Sequence, residues 1–354
     1  MSAERTTSPA ASNLLRIAPG WYVLCRSSEL TTSPRPSMLG GTPIVLFRTA
    51  DGVPGVLLDR CPHRNVPLSA GTVAGEELEC EYHGWRFRTD GRCTFAAGIA
   101  ETAITTACHA GSFPVREEQG FVWVQIGDQA ETEPYRFAVL DDRSWSSGFA
   151  VLEAHGSVQA VAENTLDVPH TAYLHGGLFR TPKSERQKRD VEIRRFADRA
   201  EAEYFGENAP SGMVGSILAP NGGQVYHIDR FLLPSITEVD YRLGERTAFH
   251  VAVALTPVSE DLTRLFAVVG LRLPFGQQIM KTLLRPLILR IFRQDAAVLQ
   301  RQTENIRRFG GEQFVTTGAD LLAPEISRLL KSAQSGDVKP HSGPPVIRQA
   351  TILM

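Results

Sequence analysis

The chain has 354 residues, with 37 Lys and Arg against 39 Asp and Glu and a formal net charge of −2. That length is enough for two domains, and 42% hydrophobic with 21% charged residues excludes a disordered chain. The balanced charge lacks the basic surplus of a nucleic-acid binder. No stretch approaches about 18 uncharged apolar residues, so no membrane span is expected. The polar first residues carry no apolar run of the signal-peptide kind. Five cysteines are too few and too odd in number for a disulfide framework. They point to a reducing, cytoplasmic compartment, where Cys near His reads first as a metal ligand.

In chain order, residues 1–18 read as a Ser/Thr/Ala-rich disordered arm. From Gly20 to about Gly127 short β-branched and aromatic runs recur: Ile44–Phe47, Val56–Leu58 and Phe121–Ile126. Asp51-Gly52, Asp90-Gly91 and Gly111 punctuate them, which predicts a small all-β domain. Gln129–Asp142 is a polar connector. Val158 to His175 reads as helical, and the charged run Arg180–Arg195 as a solvated loop or lid. Strands are predicted at Glu201–Phe205, Gln224–Leu233, Thr237–Leu243, Thr247–Leu255 and Arg264–Leu273, making an antiparallel sheet. Residues 278–308 form a long helix interrupted near Pro286, and Leu321–Ser332 a short amphipathic one. The fold class is therefore α+β. Its boundaries are an arm over 1–18, an all-β domain over 19–130, a sheet-and-helix domain over 131–335 and a tail over 336–354.

Two constellations carry chemistry. The first is Cys61-Pro62-His63-Arg64 and Cys80-Glu81-Tyr82-His83-Gly84-Trp85, spaced C-x-H, 16 residues, C-x-x-H. Two loops that each offer a thiolate and an imidazole can hold a [2Fe–2S] cluster, Cys61 and Cys80 on one iron and His63 and His83 on the other. Neutral imidazoles raise such a cluster to roughly −150 to +300 mV. Zinc also takes two Cys and two His, though usually in another order. Cys25, Cys93 and Cys108 read as packed thiols.

The second is Asp167-Val168-Pro169-His170-Thr171-Ala172-Tyr173-Leu174-His175, D-x-x-H-x4-H. A locally broken helix brings both imidazoles to one point, and two His plus one carboxylate make the facial triad of non-haem Fe(II). Asp295, on the long helix, is a candidate carboxylate; a solvated Asp paired with Arg290 or Arg293 is the alternative. Asp167 can accept from the second ring nitrogen of His170. Asn164 lies one turn earlier, near the metal. An apolar pocket is expected between about Pro210 and Phe292, with Ile217, Phe231 and Phe292 in its wall and His250 as either a polar anchor or a buried, hydrogen-bonded core histidine.

The two Cys/His loops, with Phe113-Pro114-Val115 and Gly120-Phe121-Val122-Trp123-Val124 downstream, resemble the Rieske domain of Rieske non-haem iron oxygenases. The proline that often follows a residue like Cys93 in that domain is missing here. The length is similar to the single-subunit branch of vanillate demethylases and dicamba monooxygenases. The resemblance implies a [2Fe–2S] Rieske domain over 19–130 and a catalytic non-haem iron domain over 131–335. It also implies Asp295 as third ligand, and a ring of subunits, usually a trimer, in which Asp167 bridges to His83 of a neighbouring subunit. Electrons would come from NAD(P)H through a separate ferredoxin or reductase, since no dinucleotide fingerprint follows a strand here. The implied reaction is monooxygenation of an apolar organic substrate, oxidative demethylation included. Aromatic ring dihydroxylation and sterol or polycyclic oxidation stay open within the same machinery. A Rieske-type electron carrier without oxygen chemistry is the reading from another class.

Overall fold

The computed structural model describes residues 17–127, 132–176, 187–207, 223–243, 247–272, 277–336 and 343–353. Contacts divide the chain into two units. One runs to Arg136 and includes Pro257–Glu260; the other comprises Phe137–Thr256 and Asp261 onwards. The arm expected at 1–18 falls almost wholly outside the described residues. So do Ile217 and the first part of the expected lid, 180–186.

The first unit is built from ten short strands: β1 (Gly20–Arg26), β2 (Arg35–Leu39), β3 (Thr42–Arg48), β4 (Pro54–Leu58), β5 (Thr72–Ala74), β6 (Glu77–Glu79), β7 (Arg86–Phe87), β8 (Cys93–Phe95), β9 (Val115–Glu118) and β10 (Phe121–Ile126). They form three sheets, ordered β1-β10-β9, β2-β3-β4 and β5-β6-β7-β8. Strand β3 explains why its apolar run is continuous and not alternating. Ile44 and Leu46 pack with Tyr22, Leu24, Val122 and Val124. Val45 and Phe47, on the opposite face, pack with Leu57, Leu78, Phe87 and the three buried thiols of Cys61, Cys80 and Cys93. Successive side chains of a strand point to opposite faces, so one strand serves two cores.

The second unit is an eight-stranded antiparallel sheet with helices. Its strands are β11 (Ser146–His155), β12 (Lys188–Arg195), β13 (Arg199–Tyr204), β14 (Tyr226–Leu232), β15 (Ile236–Leu243), β16 (Thr247–Ser259), β17 (Leu262–Arg272) and β18 (Val346–Leu353). The order is β11-β17-β16-β15-β14-β13-β12-β18. The helices are α1 (Ala138–Asp141), α2 (Val158–Leu166), α3 (Thr171–Leu174), α4 (Gln277–Arg308) and α5 (Ala323–Gln334). Ser157 caps α2 by accepting from the Ala160 N–H at 3.2 Å. The helix stops at Asp167, which is extended at φ −86°, ψ 104°. Val168 precedes Pro169, and a residue before proline avoids the helical region.

Three expectations are corrected. Lys188–Arg195 is not a solvated loop but strand β12, flanked by β13 and β18. Val191 and Ile193 are buried on one face. Arg194, which follows Ile193, is neutralised by Glu192 (3.0 Å), Glu201 (3.4 Å) and Glu203 (2.7 Å). The tail expected over 336–354 contains β18, which pairs with β12 from Val346↔Arg195 to Leu353↔Lys188. The long helix is not interrupted at Pro286; it runs continuously over Gln277–Arg308. Among the described residues no helix is long and apolar enough to cross a membrane.

One turn of the first unit is sensitive to a single methyl group. Gly91 sits at φ +82°, and a Cβ there would lie 2.1 Å from the Ala110 carbonyl oxygen. Ala110 donates its N–H to the Gly91 carbonyl at 2.9 Å, so this approach is part of the pairing. Gly91→Ala should cost at least about 2 kcal/mol, from the left-handed backbone and the backbone clash together. Calorimetry should show the thermal midpoint lowered by several degrees; an unchanged midpoint would contradict the geometry.

Candidate active site

In the first unit the two Cys/His loops are built alike. Cys61 donates its N–H to the Val66 carbonyl (2.9 Å), and Asn65 donates back to the Cys61 carbonyl (2.8 Å). Cys80 donates to the Trp85 carbonyl (2.8 Å), and Gly84 back to Cys80 (3.0 Å). In both loops the residue four after the cysteine is left-handed: Asn65 at φ 61° and Gly84 at φ 63°. Gly and Asn are the residues that adopt this conformation readily. Cys61 and Cys80 are buried, while His83 is exposed and His63 half-buried. Burial pushes the Cys61 thiol up to about 11; backbone N–H groups oppose this, and the neighbouring Cys80 thiol adds to it. The His63 and His83 rings meet edge-on at 4.5 Å, and His63 stacks on Trp85 at 4.7 Å. The buried His63 Nδ1 has no hydrogen-bond partner among the described residues. Two adjoining buried thiols beside an unpartnered ring nitrogen fit a metal cluster, which holds thiolate and neutral imidazole. Cys25 and Cys93 are buried and unpaired, and Cys108 is partly buried against the same core.

In the second unit His170, His175 and Asp295 converge. His170 Nε2 is 3.3 Å from His175 Nε2 and 3.5 Å from Asp295 Oδ1. His175 Nε2 is 3.0 Å from the same oxygen, which is buried and has no conventional hydrogen-bond partner among the described residues. Ligand atoms at about 2.1 Å from an ion and at right angles to one another lie about 3 Å apart. The three atoms therefore have the spacing of one face of an octahedron, and this is the metal-capable group found among the described residues. Burial acts against ionised Asp295, but the two imidazoles hold its carboxyl below the usual carboxylate range. Burial likewise pulls His170 down, and Asp167 followed by Asp295 hold it up to about 9. The solvated alternative for Asp295 does not describe this site.

The far sides of the imidazoles are also held. His170 Nδ1 lies 3.5 Å from Asp167 Oδ2. His175 Nδ1 lies 3.0 Å from Gln294 Oε1; with Nδ1–H as donor to that amide oxygen, the Nε2 lone pair faces Asp295 and His170. Sequence reasoning missed Gln294, whose only signal is its place beside Asp295.

These groups open into a cavity of about 130 Å³. Val239, Tyr241, Phe249 and Val251 form its sheet wall, and Ile288, Ile291, Phe292 and Leu299 its helix wall. Asn164 also lines it. Of the pocket residues predicted from sequence, Phe292 is in the wall. Phe231 is fully buried on β14 but outside the lining. His250 is not an anchor in this cavity. Phe249 and Val251 line it, so the residue between them faces the other side of the sheet. There the His250 ring lies 6.3 Å from Trp145.

His227, to which sequence spacing assigned no role, is the largest omission. It is fully buried on β14 and lines the cavity. Cross-strand pairing places Tyr204 on one side and Tyr241 on the other, with rings stacked at 4.2 and 3.9 Å. Nδ1 meets Glu207 Oε2 at 2.6 Å and Nε2 meets Asp229 Oδ1 at 3.0 Å. A neutral imidazole can donate from only one nitrogen, so two carboxylates at both ends define an imidazolium. Burial lowers its pKa, but Asp229 and Glu207 outweigh burial and hold it at about 9.

An all-β unit with two Cys/His loops and a cavity unit with a two-His, one-carboxylate face define a Rieske-type non-haem iron protein. Residues 20–114 match the Rieske [2Fe-2S] domain, and residues 154–334, half of the chain, match the vanillate O-demethylase oxygenase C-terminal domain. The chain belongs to the vanillate O-demethylase oxygenase family of Rieske proteins. The oxygenase component of dicamba O-demethylase from Stenotrophomonas maltophilia is 31% identical over 175 residues, 48% of this chain and 51% of the relative. The chain thus spans about half the length of that relative. The vanillate O-demethylase oxygenase subunit of a Pseudomonas species is 24% identical over 356 aligned positions, covering 94% of this chain and 98% of the relative. The crystal structure of dicamba monooxygenase bound to 3,6-dichlorosalicylic acid shares the fold. Its TM-score is 0.73 at 21% identity, over 90% of this chain and 98% of that one.

The His227 cluster gives a pH dependence. With a folded pKa of about 9 against an ordinary 6.5, its contribution to stability is complete below about pH 6.5 and lost as pH rises through about 9. In Glu207→Gln one carboxylate no longer holds the proton. Thermal melts across this range should therefore show the variant's decline starting at lower pH than the wild type's. Superimposable pH profiles would contradict the imidazolium.

Proposed function

We propose that this chain is a terminal oxygenase that takes electrons from a separate ferredoxin or NAD(P)H-dependent reductase and monooxygenates an apolar organic substrate, oxidative demethylation included. The observation that carries the reading is the three-atom face of His170, His175 and Asp295 opening into an apolar cavity. When bound, a Rieske cluster supplies electrons at moderate potential and Fe(II) uses them to activate O₂. Cys61, Cys80, His63 and His83 hold the cluster, and His170, His175 and Asp295 hold the iron. Gln294 fixes the ring of His175, and Asn164 borders the same space. The apolar walls select a hydrophobic molecule and exclude water from it.

Asp167 is a positioning residue. It holds the Nδ1 side of His170 and keeps 44% of its own side chain exposed. That exposure lets it reach His83 of a neighbouring subunit in a homotrimer. Asp167→Asn should keep both metal sites filled and the trimer intact by light scattering. Oxygen consumption should fall about 10- to 100-fold. Undiminished turnover would remove the bridging role.

The electron-carrier reading needs no second iron. The intact chain should bind about three iron atoms and His175→Ala about two, with the cluster's visible absorption unchanged. Two iron atoms in both proteins would favour the carrier.

A further inference from the structure

The two imidazoles of the ligand face are supported from behind in unlike ways. His175 Nδ1 lies 3.0 Å from Gln294 Oε1, within ordinary hydrogen-bond range. His170 Nδ1 lies 3.5 Å from Asp167 Oδ2, beyond that range, and has no conventional hydrogen-bond partner among the described residues. The Asp167 side chain is 44% exposed, whereas that of His175 is 1% exposed. Gln294 and Asp295 are consecutive residues of α4. One helix therefore faces both nitrogens of one ring, with Gln294 at Nδ1 and the Asp295 oxygen 3.0 Å from Nε2. An amide has a donor end and an acceptor end. Were the donor end turned to Nδ1, the ring proton would sit on Nε2 and block the ligand face. The short, buried contact is thus the neutral one, and the long, half-exposed contact is the charged one.

We propose that these two supports divide the work. Gln294 sets the geometry of the ligand face and, being uncharged, leaves the charge around the ion to Asp295 and Asp167. A carboxylate behind His175 would raise the basicity of that ring and bring a third negative charge to the site. Each added negative charge stabilises Fe(III) more than Fe(II), because the Coulomb energy scales with the charge of the ion. The neutral amide therefore favours the ferrous state. Gln294 acts through His175 and is a positioning residue. The proposal rests on the oxygenase reading for the identity of the ion as iron.

The test uses the full-length protein, loaded with cluster and iron and kept free of oxygen, as wild type, Gln294→Met and Gln294→Glu. Met has a similar length and no comparable acceptor; Glu keeps the acceptor and adds a charge. Iron affinity is read by competition with a chelator of known affinity. The Fe(III)/Fe(II) midpoint is read by mediated titration of the high-spin ferric resonance. Gln294→Met should lose about 10- to 100-fold in iron affinity. Gln294→Glu should bind iron at least as tightly as wild type. Its Fe(III)/Fe(II) ratio at a fixed potential should rise at least about tenfold, a midpoint lower by about 59 mV for one electron. Asp167→Asn should move the midpoint the other way. Wild-type iron affinity in Gln294→Met overturns the proposal, and so does an unchanged or raised midpoint in Gln294→Glu. The Glu variant keeps the size of the side chain, so its midpoint decides even where Gln294→Met folds poorly. A side chain that served packing alone would leave that midpoint in place. These shifts without oxygen consumption would fail the oxygenase reading alone. Oxygenation with the shifts absent would fail this proposal alone.

Discussion

The arrangement of the second unit depends on the break in the helix at Asp167–Pro169. In a continuous helix, residues five apart are rotated by roughly 140°, so His170 and His175 would point to nearly opposite sides. Pro169 keeps α2 from continuing, and α3 is a single turn followed by His175, which has left the helical region at φ −107°, ψ 33°. The two imidazoles thereby meet at 3.3 Å. Asp295 comes from a different kind of element, a helix of 32 residues. A short, broken segment and a long one hold the three ligand atoms in one place. Two imidazole nitrogens and a carboxylate oxygen held 3.0–3.5 Å apart have the spacing of ligands on one ion, so the local fold is matched to an ion.

The sheet wall of the same cavity solves the opposite problem. There the cation is built in: His227 carries it, two carboxylates balance it, and two tyrosine rings cover its faces. Cation–π contacts of this kind contribute about 0.5–2 kcal/mol each. A packed apolar residue would serve stability as well or better. The presence of a buried ionic cluster in the wall therefore argues for use at the cavity, as the ligand triad does on the helix side. Tyr204, His227 and Tyr241 come from three adjacent strands, so the register of β13, β14 and β15 fixes the cluster.

That difference explains what the sequence reveals. The Cys/His loops and D-x-x-H-x4-H are legible because their ligands lie within a few residues of one another, and local backbone geometry brings them together. Ile44–Phe47 and Phe121–Ile126 are legible as strands because their composition is unmixed. His227 is not legible, because Tyr204, Glu207 and Tyr241 reach it through sheet pairing that no linear spacing records. Only Asp229, two residues along the same strand face, gave a local sign. His250 fails for a related reason. A strand's two faces differ by one position, and the apolar Phe249 and Val251 occupy the cavity side. Lys188–Arg195 reads as solvated because its charges are compensated by Glu201 and Glu203 on the next strand, invisible until β12 and β13 pair.

The ligand triad stands at the two ends of α3 and on α4, whereas Asp229, Val239, Tyr241 and Val251 stand on the sheet. Residues 227, 229, 239 and 241 can therefore change what the cavity accepts without displacing His170, His175 or Asp295. Rigid elements on both sides make each part exact in position, and their separation in the fold makes each part independently variable. Relatives that share the ligand spacing and the fold are then free to differ in substrate, because fold and metal chemistry do not determine recognition. In this chain such groups are the His227 cluster with Glu207 and Asp229 and the apolar residues beside it in the sheet wall.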